Sequence, residues 1–240
     1  MLAGAISGSI FASPSVAQIV SAVTLLHKES GGSDGKGVLL VVKNYTGDVL
    51  HFNLAASKLR TAGIKVSVVV VGDDVSVGRA KSGRVGRRGL AGTVFVHKIA
   101  GALAAEGGSL EDVTKIAEEV AGNLVTVAAS LDHVHVPGRA KDEESFLGEQ
   151  EMELGMGIHN EPGSEKIRVP ELKVLVKRML DQLLDPDDKD RAYLSGVEGD
   201  EFALMVNNLG GLSVLELGAI AKVIVEELSI LATSGVRTRS

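Results

Sequence analysis

Two apolar runs set the frame of this chain. Val38-Leu39-Leu40-Val41-Val42 is unbroken, and Val66 to Val71 is interrupted only by Ser67. Both have the β-favouring content of strands buried on two faces, as in parallel sheets covered by helices. The segments around them alternate at helical spacing. Ser13-Pro14 predicts a helix start, with Ser as N-cap and Pro at the first helical position, and a helix running to about His27. A helix is expected from about Val49 to Arg60, between the two strands, and another over Thr93 to Ala105. Ser109-Leu110-Glu111-Asp112 reads as a capping box, after which Leu110, Val113, Ala117 and Val120 share one helical face. Strands alternating with helices predict an α/β fold with mainly parallel or mixed sheets flanked by helices.

The second half is less regular. LDHVHVPGR (131–139) predicts a short strand that breaks at Pro137-Gly138, and the charged stretch 141–150 an exposed segment. Pro170 opens a helix to about Leu184, and DPDDKDR is a solvated loop. Phe202 to Val206 alternates like a strand, Asn207 to Gly211 turns, and Ser213 to Glu216 is a capping box into a last helix. Two α/β subdomains are expected, residues 1–128 and 129–240. No return strand follows the last helix, so the final α/β unit reads as unfinished.

Composition narrows the functions. Aromatics are 3% with no Trp, and the net charge is −6 with scattered basic residues, so neither base stacking nor an electrostatic nucleic-acid footprint is expected. There is no cysteine, which removes disulfides, thiolate catalysis and Cys-based zinc sites and fits a cytoplasmic setting. The first residues, MLAGAISGSIFASPSVA, lack a positive n-region and carry Gly and Ser within the apolar run. They predict a loop and helix entry. No stretch is long and apolar enough to span a bilayer.

Several stretches hold residues capable of chemistry. KNYTGD (43–48) lies where a buried strand meets a helix, the place where open α/β sheets bind ligands. Lys43 and Asp48 there either hold a polar ligand or, in the case of Asp48, charge the helix start beside the turn at Gly47. GMGIHNEPG (155–163) sets His159 among glycines. It is either a solvated loop histidine or an imidazole poised as nucleophile or base. His133 and His135 alternate on one predicted strand face, and the sequence offers no evident carboxylate or third histidine to complete a metal site, so hydrogen-bonding roles are expected. Asp73-Asp74 either ligates a cation or caps a turn, and Gly86-Arg87-Arg88-Gly89 is either a phosphate grip or an ion-paired hinge. A Walker-type GxxxxGK[ST] is absent.

Taken in order, FASP (11–14), KNYTGD, GRRGLAGTVFVHKIAGA (86–102), LDHVHVPGR, EMELGMGIHNEPG (151–163) and MVNNLGG (205–211) closely resemble the substrate-binding domain of dihydroxyacetone (glycerone) kinases. The form of LDHVHVPGR is similar to the ATP-dependent, eukaryote-type branch. The resemblance implies that His159 adds to the ketone carbonyl of dihydroxyacetone as a covalent hemiaminal. This would select short ketoses and aldehydes over glycerol. It further implies that Asp48 bonds the terminal hydroxyl and helps remove its proton, that Lys43 contacts substrate, and that Ser13 lies on the pocket side of its loop. ATP and Mg²⁺ would come from a separate helical nucleotide-binding domain, and the domain would form a homodimer. No metal or cofactor would be held by this chain itself. Family members also carry an upstream GGGSGHEP segment that this sequence lacks. The expectation is therefore a substrate domain shortened at both ends, inactive as a kinase in isolation. A ketose-binding sensor or coactivator, or an inactive fragment, are the rival readings.

Overall fold

The structure is a computed structural model of the 240-residue chain and describes residues 1–32, 35–83, 85–138, 147–194 and 201–233. It divides into two compact units. One is built chiefly from Met1–Asp74 and Lys81–Leu124, the other from Val75–Ala80, Val125–His135 and the described residues from 147 onward.

The first unit is an α/β layer. Strands β1 (Val38–Lys43) and β2 (Val66–Val71) pair in parallel, with Val38 opposite Val66 and Lys43 opposite Val71. Their side chains alternate between two cores, which is why both runs are apolar at nearly every position. Leu40, Val42 and Val66 pack with Ile19 and Val23 of α1 (Val16–Glu29) and with Ala55, Ala56 and Leu59 of α2 (Thr46–Thr61). On the other face Val69 and Val71 pack with Val96 and Ala100 of α4 (Thr93–Ala105) and Val113 and Ala117 of α5 (Leu110–Gly122). The single turn α3 (Arg79–Ser82) precedes them.

Helix starts correct the sequence expectation, most clearly at α1. α1 is capped by Ser15, not Ser13. Ser15 Oγ accepts from the Gln18 amide at 3.3 Å, and Gln18 Oε1 accepts from the Ser15 amide at 2.8 Å. Two reciprocal bonds outweigh the single favourable Pro position. α2 begins at Thr46, so Asp48 falls within its first turn. Ser109 caps α5 through the Asp112 amide as expected.

The second unit holds a small antiparallel sheet in the order β3 (Ala129–Ser130), β4 (Glu151–Leu154), β5 (Glu165–Arg168). The fold is thus α/β with one parallel and one antiparallel sheet. α6 (Leu172–Leu184) buries Val176 and Leu180, and Lys173 on it pairs with Glu227 of α7 (Val214–Thr233) at 3.1 Å. Two predicted strands do not form as such. Residues 131–138 leave the ladder after Ser130, because the Ser130 hydroxyl bonds the Asp132 carbonyl and the Asp132 carboxylate accepts from the His133 amide at 2.7 Å. These local bonds compete with strand pairing. Phe202 to Val206 has strand composition but no ladder partner among the described residues, and a strand is stabilised by its neighbours. Most of the charged stretch 141–150 lies outside the described residues. Among the described residues no helix is long and apolar enough to cross a membrane.

Candidate functional site

In the first unit the candidate residues gather at the carboxyl end of β1. Lys43 is the last residue of that strand. Asn44 fixes the turn that follows. Its amide bonds Val71 O at 2.8 Å, and its side chain donates to Val85 O and Arg87 O, each at 2.7 Å. The Tyr45 hydroxyl donates to Gly89 O at 3.1 Å. The chain then enters α2, where the Asp48 carboxylate lies near the positive end of the helix dipole. Ser13 is brought to the same turn. A Cβ on Gly47 would stand 2.6 Å from Ser13 Oγ, so the hydroxyl rests against bare glycine backbone. The His51 ring donates from Nδ1 to Pro14 O at 2.8 Å and ties the Ser13 loop to α2. Burial, and after it the positive charge of Lys43, lowers the pKa of the half-buried His97.

The basic loop behind this turn is structural. Asp73 and Asp74 are fully buried. Asp73 accepts from the Leu90 and Gly92 amides at 2.6 and 2.8 Å, and Arg88 bonds Asp74 Oδ2 through Nε and Nη2, both at 2.7 Å. Arg87 donates to Leu124 O at 2.9 Å. Of the two readings of Gly86–Gly89, the ion-paired one describes the loop. Asp73 and Asp74 hold residues 88–92 rather than a neighbouring turn.

In the second unit, residues 155–163 form the loop between β4 and β5. Its ends are pinned by Gly155 N to Ala128 O at 2.6 Å and Ser164 N to Leu154 O at 2.8 Å. Gly155 takes φ 78° and sits on Ser76, whose hydroxyl donates to its carbonyl at 2.9 Å. Only glycine suits that left-handed position at such a close approach. Inside the loop Gly157 N bonds Glu161 O at 2.9 Å, and Asn160 adopts φ 64°. His159 stands at the crest. Its Nδ1 lies 2.9 Å from Glu161 Oε1, and its own amide donates to Glu161 Oε2, also at 2.9 Å. Both side chains are about one-third exposed. Burial alone would push the Glu161 carboxyl up, but the bonds from the His159 ring and backbone outweigh it and hold its pKa below the usual value. An ionised carboxylate only accepts, so Nδ1 carries a proton, and in the neutral imidazole the lone pair is then on Nε2. That is the tautomer of a nucleophile at Nε2.

Glu161 is missed by sequence reasoning, which takes Asn-Glu-Pro-Gly as a turn. The i, i+2 spacing of His and Glu in a glycine-bounded loop is the signal that would have found it. Glu153 is missed as well. It lies in β4 between the buried Met152 and Leu154, is itself buried, and pairs with His133 Nε2 at 3.0 Å. His133 therefore does have a carboxylate partner, which its sequence neighbourhood does not reveal. Burial works against ionisation of Glu153, but the Gly163 amide and the His133 ring together keep its pKa low. Among the described residues no group of three or more His, Asp or Glu is placed to hold a metal.

Residues 1–238 match the Dak1 domain family. The chain belongs to that family. It is 53% identical over 225 residues to dihydroxyacetone kinase 1 of Saccharomyces cerevisiae, covering 92% of this chain and 37% of the yeast protein. The solved dihydroxyacetone kinase of C. freundii in complex with AMP-PNP and Mg²⁺ has TM-score 0.75 and 37% identity over 90% of this chain and 36% of that one. The dihydroxyacetone kinase operon co-activator Dha-DhaQ has TM-score 0.77 and 30% identity over 92% of this chain and 63% of that one. The resemblance carried by the sequence motifs thus holds across nearly the whole Dak1 chain. This Dak1 chain spans little more than a third of the length of its yeast relative.

Proposed function

We propose that this Dak1 chain binds dihydroxyacetone as a covalent hemiaminal of His159, for phosphorylation by a nucleotide-binding partner domain. The observation that supports it most is the His159–Glu161 contact at Nδ1. Nε2 attacks the ketone carbon, the N–C bond forms, and the carbonyl π pair moves to oxygen, which takes up a proton. The imidazole becomes cationic with its proton on Nδ1, facing the Glu161 carboxylate. Loss of that proton leaves the neutral hemiaminal. Imidazole adds to a carbonyl but not to an alcohol, so bond formation discriminates ketoses and aldehydes from glycerol. Lys43 and Ser13 contact the substrate oxygens, and Asp48 bonds the terminal hydroxyl and takes its proton. The partner domain supplies ATP and Mg²⁺, and the substrate domain works as a homodimer.

Intact native mass after incubation with dihydroxyacetone tests this reading. The expected result is an increment of one whole ketose, with no water lost, that His159→Ala abolishes. A folded parent chain with no increment overturns it. A non-catalytic ketose sensor is a second reading, favoured by the likeness to the co-activator Dha-DhaQ. Fusion to the rest of the yeast relative, which this chain does not cover, separates the two: kinase activity appears only under the first.

A further inference from the structure

We propose that the buried His133–Glu153 pair is a positioning latch that fixes the loop presenting His159. The inference rests on the ketose-binding reading for its purpose, but its geometry stands apart from it. Glu153 reaches out of β4 beneath the loop and uses its two oxygens on two different pieces of chain. Oε2 takes His133 Nε2 at 3.0 Å, and Oε1 takes the Gly163 amide at 2.7 Å. The pair is well buried, with side-chain exposures of 11% for His133 and 4% for Glu153. The next residue, Val134, is bonded twice to Asn160. The Asn160 side chain accepts from the Val134 amide at 2.7 Å and donates to its carbonyl at 2.8 Å. Asn160 follows His159 directly. Segment 133–134 is therefore clamped to the crest of the loop and, through Glu153, to its exit.

The energetics favour a role beyond packing. His133 Nδ1 is buried with no hydrogen-bond partner among the described residues. A buried polar pair with an unsatisfied atom is seldom better for stability than apolar side chains of similar volume. A chain selected for stability alone would do as well with two aliphatic residues there. What an aliphatic pair cannot do is hold an amide of the loop and a second segment through one rigid carboxylate. A nucleophile displaced by about 1 Å loses on the order of a hundredfold in rate, so holding the loop frame matters for addition to a carbonyl.

The test compares His133→Leu, which removes the donor, with His133→Gln, which keeps an N–H for Glu153. Thermal melts establish folding. The ¹⁵N shifts of the His159 ring report its tautomer, and native mass follows adduct formation with dihydroxyacetone. In His133→Leu the melt is expected to stay cooperative, the ring to leave the Nδ1–H tautomer for a mixture, and adduct formation to slow by about tenfold or more. His133→Gln retains most of both. An unchanged ring and rate in His133→Leu, or equal losses in the two variants, overturns the latch. If His133→Leu does not fold, Glu153→Gln is read in the same way, and failure of both to fold makes the pair structural and also overturns it. A parent chain with no adduct whose His159 ring still responds to His133→Leu would sink the substrate reading and keep the latch. An adduct unaffected by His133→Leu would do the reverse.

Discussion

His159 and Glu161 behave as one group. On the proposed reading, the carboxylate fixes the proton on Nδ1 before attack and faces the positive charge that attack would create. Glu161→Gln keeps an oxygen near the ring but loses the negative charge, so adduct formation is expected to fall by roughly tenfold to a hundredfold, with His159 still modifiable. The pH dependence has a definite sign. The folded Glu161 carboxyl titrates below the usual value of 4.5. Its stabilisation of the loop is therefore fully present above that value and is lost as pH falls through the lower, folded pKa. Following the Glu161 side-chain carbonyl by NMR checks this, and a midpoint at or above 4.5 would contradict it. At this scale the motif GMGIHNEPG makes the constrained loop around His159 legible, because glycines flanking a lone histidine mark such a loop. Glu153 was not legible. A strand written Glu-Met-Glu-Leu looks half-exposed, and only the loop folding over it buries Glu153.

The elements were legible wherever hydrophobic period and neighbours agree. β1 and β2 could be placed from composition alone, since a strand covered on both faces has no polar side to confuse the pattern. The span that the sequence predicts for α4, Thr93 to Ala105, is the span it occupies. The error at the start of α1 shows what outranked the Pro signal. The Ser-x-x-Gln box satisfies two orphan donors of the helix, and Ser15→Ala is expected to cost about 1 kcal/mol, lowering the melting temperature by a few degrees. Ser13→Ala should leave the melt nearly unchanged, since Ser13 is not the cap. The reverse order would return the helix start to Ser13-Pro14. Residues 131–138 and 202–206 were beyond reach for another reason. Whether an apolar alternation becomes a strand depends on a partner, and in the first case on short side chains that bend the backbone away.

At the scale of the molecule, the proposed chemistry draws on two kinds of architecture. Lys43 and Asp48 sit on a parallel crossover, and His159 on an antiparallel hairpin. The chain divides into two compact units, and the second takes in Val75–Ala80 as well as residues beyond α5, so its extent depends on pairings that single-chain periodicity does not contain. Membership of the Dak1 family accounts for why motifs so far apart in the chain occur together in order.

The β4–loop–β5 hairpin has a consequence in time. Its ends meet across the few residues of 155–163, whereas the pairing of β1 with β2 spans the whole of α2 between them. Local hairpins close within microseconds, and parallel pairings that must first enclose a helix are slower. On refolding from denaturant, the amides of Gly163 and Ser164 are expected to gain protection against pulse-labelled exchange before those of β2. The imidazole's surroundings would then be in place before the lysine and aspartate find theirs. Simultaneous protection of both regions would mean instead that the chain assembles its two architectures as a single cooperative event.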